Sequence, residues 1–286
     1  MLEVVALIAV RGDGEYVANA LRHLVENQIA YAIIDNGMDE TGRAVLARRE
    51  FRRDLVDVVD LPYDGAFDLR KQILTKQKLA DEITADWFIH LDVDEIMHSY
   101  VDGESLNAAI ARIDAKGDTA INFDEFVMLP VETDYVADAA RGQAMRHYYF
   151  FEPTEKRLMR AFKKKAHLRL TPRADAQDSA SGSGHAVFGD NLRLSPEFFA
   201  LRHHIVRDQA HAYRKYVHRR FSEAEVAQGW HVNRIDVPPR DFKLPPADRL
   251  RVLAKPEDRR FARSSPAKLH YWHWPQAADQ LQSTAS

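Results

Sequence analysis

The sequence predicts an α/β protein whose core is a mostly parallel sheet flanked by helices, followed by a smaller mixed elaboration. Three observations carry that prediction. A short apolar run followed by a helical stripe recurs four times in the first 118 residues. The first run is continuous, as in strands covered on both faces, and does not alternate apolar with polar residues. Beyond residue 118 the rhythm breaks into short candidate strands.

The elements follow in order. Val4 to Val10 is a first strand, and after the RGDG turn Tyr16, Val17, Ala20, Leu21 and Leu24 lie on one helical face. Tyr31 to Ile34 is a second strand ending in Asp35-Asn36-Gly37, with a helix through Ala44 to Arg49 and a third strand from Leu55 to Leu61. Phe67 to Ile83 carries a stripe through Ile73, Leu74 and Leu79. Trp87 to Leu91 is a fourth strand, and Ser105 precedes a helix through Leu106, Ala109, Ile110 and Ile113. Short strands are expected at Ala120 to Phe123, His147 to Phe151, Leu158 to Phe162 and Leu168 to Leu170. Ala174 to Gly184, ADAQDSASGSG, has nothing to bury and reads as a mobile loop. A helix is expected over Asp208 to Phe221, with His211, Arg214, Lys215 and His218 on its polar face. Tyr271, Trp272 and Trp274 read as tail residues packed onto the domain, and Lys163-Lys164-Lys165 as an exposed turn.

Composition bounds the function. A net charge of −3 over 286 residues argues against general nucleic-acid binding, and the absence of cysteine removes disulfides, zinc thiolates and thiol nucleophiles. No apolar run nears the roughly 18 residues of a membrane span. The N-terminus lacks the basic region and cleavage site of a signal sequence. A cytosolic location is expected, with peripheral contact at the inner membrane face left open.

The segment WFIHLDVDEIM concentrates chemistry: an apolar strand runs directly into Asp92, Asp94 and Glu95. If extension continued, His90, Asp92 and Asp94 would share one face. Two such carboxylates repel unless a cation lies between them, and hard oxygen ligands favour Mg²⁺ or Mn²⁺ completed by phosphate oxygens. Asp13 and Asp35 also follow strand ends, at the rim where open α/β sheets bind ligands.

Several segments together resemble the GT-A glycosyltransferases, and within them the family-2-like bacterial group. They are ALIAVRGDGEYVANALRHLVENQIAYAIIDNGMDETG, DLRKQILTKQKLADEITADWFIHLDVDEIM with its Asp-x-Asp, FALRHHIVRDQAHAYRKYVHRRF and GWHVNR. The resemblance covers roughly residues 3 to 235, so a domain over 1–235 is expected, with a nucleotide-binding half of about 1–118, an acceptor half of 119–235 and an extension over 236–286. One departure is Arg11-Gly12-Asp13, where relatives commonly show Asn-Glu.

The resemblance implies a nucleotide-sugar donor, UDP- or GDP-linked, a divalent metal, and inverting transfer to a hydroxyl of a glycan or glycoconjugate. It implies that Asp35 lies near the nucleotide's base or ribose, with Asp13, Arg70 and Lys215 in the same cleft. Asp92 would contact ribose or metal-bound water, Asp94 would bind the metal, and His185 would reach it from the glycine-rich loop. The carboxylate base would be Glu125 or Asp190. A nucleotidyltransferase would usually open with a basic, glycine-rich loop, which RGDGEY does not supply. An inactive nucleotide-sugar-binding protein on the same scaffold is the non-enzyme alternative.

Overall fold

The computed structural model describes residues 2–131, 145–153, 158–170 and 186–274. Four parallel strands form one half of its main sheet: β1 (Val4–Gly12), β2 (Ala30–Met38), β3 (Leu55–Asp60) and β4 (Trp87–Asp92), in spatial order β3-β2-β1-β4. The chain steps outward from β1 to β3 and then returns to the other side of β1. The crevice beyond the carboxyl ends of β1 and β4 is therefore a topological switch point.

Helices cover both faces because side chains alternate along a strand. Val4, Ala6, Ile8 and Val10 meet α1 (Gly14–Glu26) and, later in the chain, the helix Leu106–Ala115. Val5 and Leu7 face the opposite way, in a second cluster with Ile73, Leu79 and Phe88. Along the chain between α1 and the helix Leu106–Ala115 come α2 (Glu40–Leu46), α3 (Arg49–Arg52) and α4 (Leu69–Glu82). Leu106–Ala115 is α5, capped as expected by the Ser105 hydroxyl accepting from Ala108 N–H. Each large apolar side chain enclosed this way contributes about 1.5–3 kcal/mol.

Beyond β4 the structure departs from continued extension. The strand ends at Asp92, residues 93 and 94 turn, and a short β5 (Glu95–His98) leaves in a new direction. Strand β6 (Ala120–Met128) runs well past the expected Phe123, paired with β7 (His147–Phe151) along its second half. Strand β8 (Met159–Lys163) is antiparallel to both β4 and the start of β6. A two-stranded hairpin of β9 (Arg169–Leu170) and β10 (Val187–Phe188) stands apart from the main sheet.

Strand β11 (Phe199–His203) lies parallel to β6 and antiparallel to β5. Its register sets His203 beside Glu95 and, on the other side, Val127, two positions along from Glu125. The sheet thus forks at the switch point, and the fork is closed by segments from the second half of the chain. The edge strand β12 (Arg251–Val252) pairs β7.

The segment expected as one helix over 208–221 is a single turn, α6 (Gln209–Ala212), followed by a π-helical turn over Tyr213–Val217. Its wider bond, His218 N–H to the Tyr213 carbonyl, re-aims the side chains that follow. Tyr216 joins a third core with Phe242, Tyr271 and Trp272, so the described part of the tail is packed into the molecule. The lysine triplet is not a simple exposed turn: Lys163 pairs with Asp114 and Lys164 Nζ donates to the Asp81 and Ile83 carbonyls. The Ala174–Gly184 stretch lies outside the described residues.

Candidate active site

The acidic end of β4 is neutralised from two neighbouring elements. Lys76, on the sheet-facing side of α4 and only 1% exposed, donates from Nζ to the Leu91 carbonyl at 2.9 Å and to Asp92 Oδ1 at 3.2 Å. Arg160, from β8, places a terminal nitrogen 2.5 Å from Glu95 Oε1 and 3.5 Å from Asp92 Oδ2. Glu95 also closes the turn by accepting from Asp92 N–H at 2.9 Å. Glu95 is thus a buried structural acid, and Asp92 is the member of the triplet that reaches solvent.

Asp94 is buried at the fork and meets a second group of cations. Lys215 Nζ, from the π-helical turn, lies 2.5 Å from Asp94 Oδ2, and His203 Nε2 lies 3.5 Å from the same oxygen. The other ring nitrogen, Nδ1, is 2.6 Å from Glu125 Oε1. Glu125, His203, Asp94 and Lys215 therefore form one continuous chain of charge from β6 across β11 to the C-terminal segment. Burial acts to raise the Asp94 pKa, but the Lys215 ammonium and His203 outweigh it and hold the carboxyl well below the usual range. Burial lowers the His203 and Lys215 pKa values, and Asp94 more than restores both, so each is raised.

Asp13 completes the opposite wall. It adopts a left-handed conformation at φ 44° and ψ 22°, and its carboxylate does not cap the helix it precedes. Asp39 accepts from Gly14 N–H instead, which leaves Asp13 Oδ1 to meet His211 Nε2 at 2.9 Å. The Arg207 N–H donates to His211 Nδ1 at 3.2 Å, so the ring proton belongs on Nε2 and points at Asp13.

The structure brings Asp13, Asp92, Asp94, Glu125 and Lys215 to this crevice. Of the other expected residues, Asp35 lies at the same carboxyl rim, in register with Val10 of β1, and Arg70 stands at the start of α4 beyond β3. Asp35 is held by its own turn: Oδ1 accepts from Gly37 and Met38 N–H, and Oδ2 pairs with Arg43 at 2.8 Å. Arg70 points its side chain to solvent while its N–H donates to Glu225 Oε1. Asp190 is exposed beside Asn191, whose carbonyl accepts from Thr119 at the Trp87 end of the strands. That is the opposite rim, about 17 Å along β4 from Asp92. His185 lies outside the described residues. Sequence reading did not single out Lys76, Arg160 or the His203 bridge.

A resident Mg²⁺ or Mn²⁺ needs carboxylate oxygens turned toward it. Here Asp92 faces Lys76 and Arg160, and Asp94 faces Lys215 and His203. No three His, Asp or Glu side chains converge as a ligand set among the described residues. In this arrangement the acidic turn does not fit a resident divalent cation, which would have to displace Lys215 from Asp94.

No protein-family model matches the chain, and no curated protein matches it. Among solved structures, S. aureus TarS superposes with a TM-score of 0.44 at 9% identity, covering 78% of this chain and 41% of that one. TarS 1–349 in complex with UDP-GlcNAc gives 0.41 at 11% identity, covering 71% and 59%. The mannosyltransferase PcManGT from Pyrobaculum calidifontis, in complex with GDP-Man and Mn²⁺, gives 0.42 at 12%, covering 76% and 61%. The matched region spans less than two thirds of each of these proteins. Similarity at this level carries no argument about function, which rests on the chain's own residues.

Proposed function

We propose that this chain is a glycosyltransferase that moves a sugar from a UDP- or GDP-linked donor to a hydroxyl of a glycan or glycoconjugate, with inversion. One observation carries the reading. At the switch point, where an α/β sheet binds nucleotides, the ionised Asp94, a buried lysine and a carboxylate–imidazole pair converge within one charge chain.

In the reaction, the acceptor oxygen bonds to the sugar's anomeric carbon as the bond from that carbon to the donor's diphosphate oxygen breaks. The nucleoside diphosphate carries away the electron pair, and the acceptor's proton goes to the Glu125–His203 pair. His203, whose pKa is raised, turns one ring nitrogen to Asp94 and the other to Glu125, so the Glu125 carboxylate is the member that takes the proton and the imidazolium orients it through Nδ1. In this reading Asp92, the solvent-reaching carboxylate at the end of β4, accepts hydrogen bonds from hydroxyls of the donor's ribose or sugar. Lys215 meets the charge that develops on the leaving diphosphate.

The test is donor hydrolysis without acceptor, scored as nucleoside diphosphate released from a panel of UDP- and GDP-sugars. Slow release from one donor, abolished in Asp94→Asn, is the expected result. Binding of a donor without any release would favour the inactive binding protein, and neither binding nor release with any donor would reject the reading.

A further inference from the structure

Beside the acidic turn, three arginines, Arg11, Arg219 and Arg234, stand close together. Arg219 follows the π-helical turn Tyr213–Val217 that carries Lys215. The Arg219 guanidinium lies 4.9 Å over the Phe67 ring, and Arg11, at the end of β1, lies 5.3 Å from the same ring and 4.8 Å over Tyr63. Arg234 and Lys215 flank Tyr216 at 5.7 Å and 5.9 Å. Three aromatic rings thus hold three guanidiniums and an ammonium at the carboxyl rim of β1 and β3.

Among the described residues no ion pair joins Arg11, Arg219 or Arg234 to a carboxylate. The Nε atoms of Arg219 and Arg234 are enclosed and have no hydrogen-bond partner. Burial, with the neighbouring charges of Arg11 and Arg234, pushes the Arg219 pKa down to about 10. Assembling like charges away from water is costly unless an anion arrives to compensate them. Planar guanidiniums suit phosphoryl oxygens, which they bind in pairs.

We propose that Arg219, Arg11 and Arg234 form an anion subsite that takes the diphosphate of a nucleoside diphosphate directly, so that the donor binds without a divalent cation. The proposal rests on reading the crevice as a nucleotide-sugar site. It also accounts for the misfit of a metal at Asp94: Lys215 supplies the positive charge at one end of the diphosphate, and the arginines supply it along the rest.

The experiment is calorimetric titration of the full chain with UDP, GDP, uridine, guanosine and inorganic pyrophosphate, first in EDTA and then with MnCl₂. One diphosphate is expected to bind in EDTA, its nucleoside far more weakly, with affinity weakening as salt rises. Arg219→Gln should lose at least about tenfold in affinity, and Arg219→Lys less. Arg11→Gln is the second variant, used if Arg219→Gln melts below wild type. Diphosphate binding that appears only with Mn²⁺ overturns the subsite and leaves the transferase reading standing. So does wild-type affinity in a normally melting Arg219→Gln. Pyrophosphate binding in EDTA that Arg219→Gln removes, with no preference for either nucleotide, supports the subsite and counts against the nucleotide-sugar reading.

Discussion

Replacing Arg160 with methionine tests whether the acidic turn is held together by its buried cations. Arg160 and Glu95 are 2% and 1% exposed and 2.5 Å apart, so the variant leaves a carboxylate enclosed with no ion-pair partner. Breaking such a pair costs about 3–5 kcal/mol. Part of that is offset, because Arg160 also buries Nε and a second terminal nitrogen without hydrogen-bond partners, and the variant removes both. The lower end, about 3 kcal/mol, is therefore expected. At roughly 2–4 °C per kcal/mol for a chain of this size, the melting midpoint falls by about 6–12 °C.

The assay is thermal unfolding followed by circular dichroism at pH 7.5 and pH 5.5, with urea midpoints as a check. Burial already raises the Glu95 pKa, and without Arg160 it rises further. An acid with a raised folded-state pKa destabilises progressively as pH climbs above its unfolded value, so the loss should be smaller at pH 5.5. Pairing the change with Glu95→Leu should recover most of the stability. A single variant melting within about 1 °C of wild type, or a double variant no better than the single, would refute the reasoning.

Four further outcomes are expected. Gly14→Ala places a Cβ 1.9 Å from Asp39 Oδ1 and 2.4 Å from the Gly42 nitrogen, so α1 and α2 must part, at a cost of about 3 kcal/mol in a urea titration. Burial lowers the pKa of His23 to about 4 and of His204 to about 3, so stability held above pH 6.5 is lost as pH falls toward those values. For His204 alone the loss approaches roughly 5 kcal/mol. The depressed pKa of Asp94 adds its own loss only below about pH 4; an acid titration of unfolding midpoints that stays flat between pH 7 and 4 contradicts the loss assigned to the two histidines. Lys215→Met should weaken nucleoside diphosphate binding in EDTA and let Mn²⁺ raise the melting midpoint, whereas an equal Mn²⁺ shift in wild type would show that Lys215 does not block the turn. His203→Gln should lower kcat by about 10²–10⁴ with donor KM little changed, and unaltered kcat would remove the imidazole from the reaction.

The parallel half of the fold was legible because its elements are written in short-range periodicity. Val4 to Val10 and Trp87 to Leu91 are apolar runs, and Ser105 is an ordinary cap, so each is specified by adjacent residues. Strands β5 and β11 were not legible: EIMH and FALRH are short, polar in part, and form by pairing with strands distant in the chain. Extension past Asp92 failed for the same reason, since Glu95 turns the backbone back on itself. The acids of the site could be read from the end of one strand. Their cations could not, because Arg160 and Lys215 lie 65 and 121 residues from the acids they meet. Lys76 left a readable signal: with Gln72 and Gln77 it puts polar groups on the buried stripe of Ile73 and Ala80, where a helix has no other reason to carry them.

The distance along the chain between the acids and their cations has a consequence for biosynthesis. A ribosome adding about 5–20 residues per second completes β4 well before Arg160 emerges, and Lys215 follows on the order of ten seconds behind Asp94. Throughout that interval the nascent parallel half carries Asp94 and Glu95 at a turn that cannot be buried without cost. The first 118 residues are therefore poised to stay open at the fork until the C-terminal segment arrives. Cleavage of stalled nascent chains should find residues 92–98 accessible before release and protected afterward.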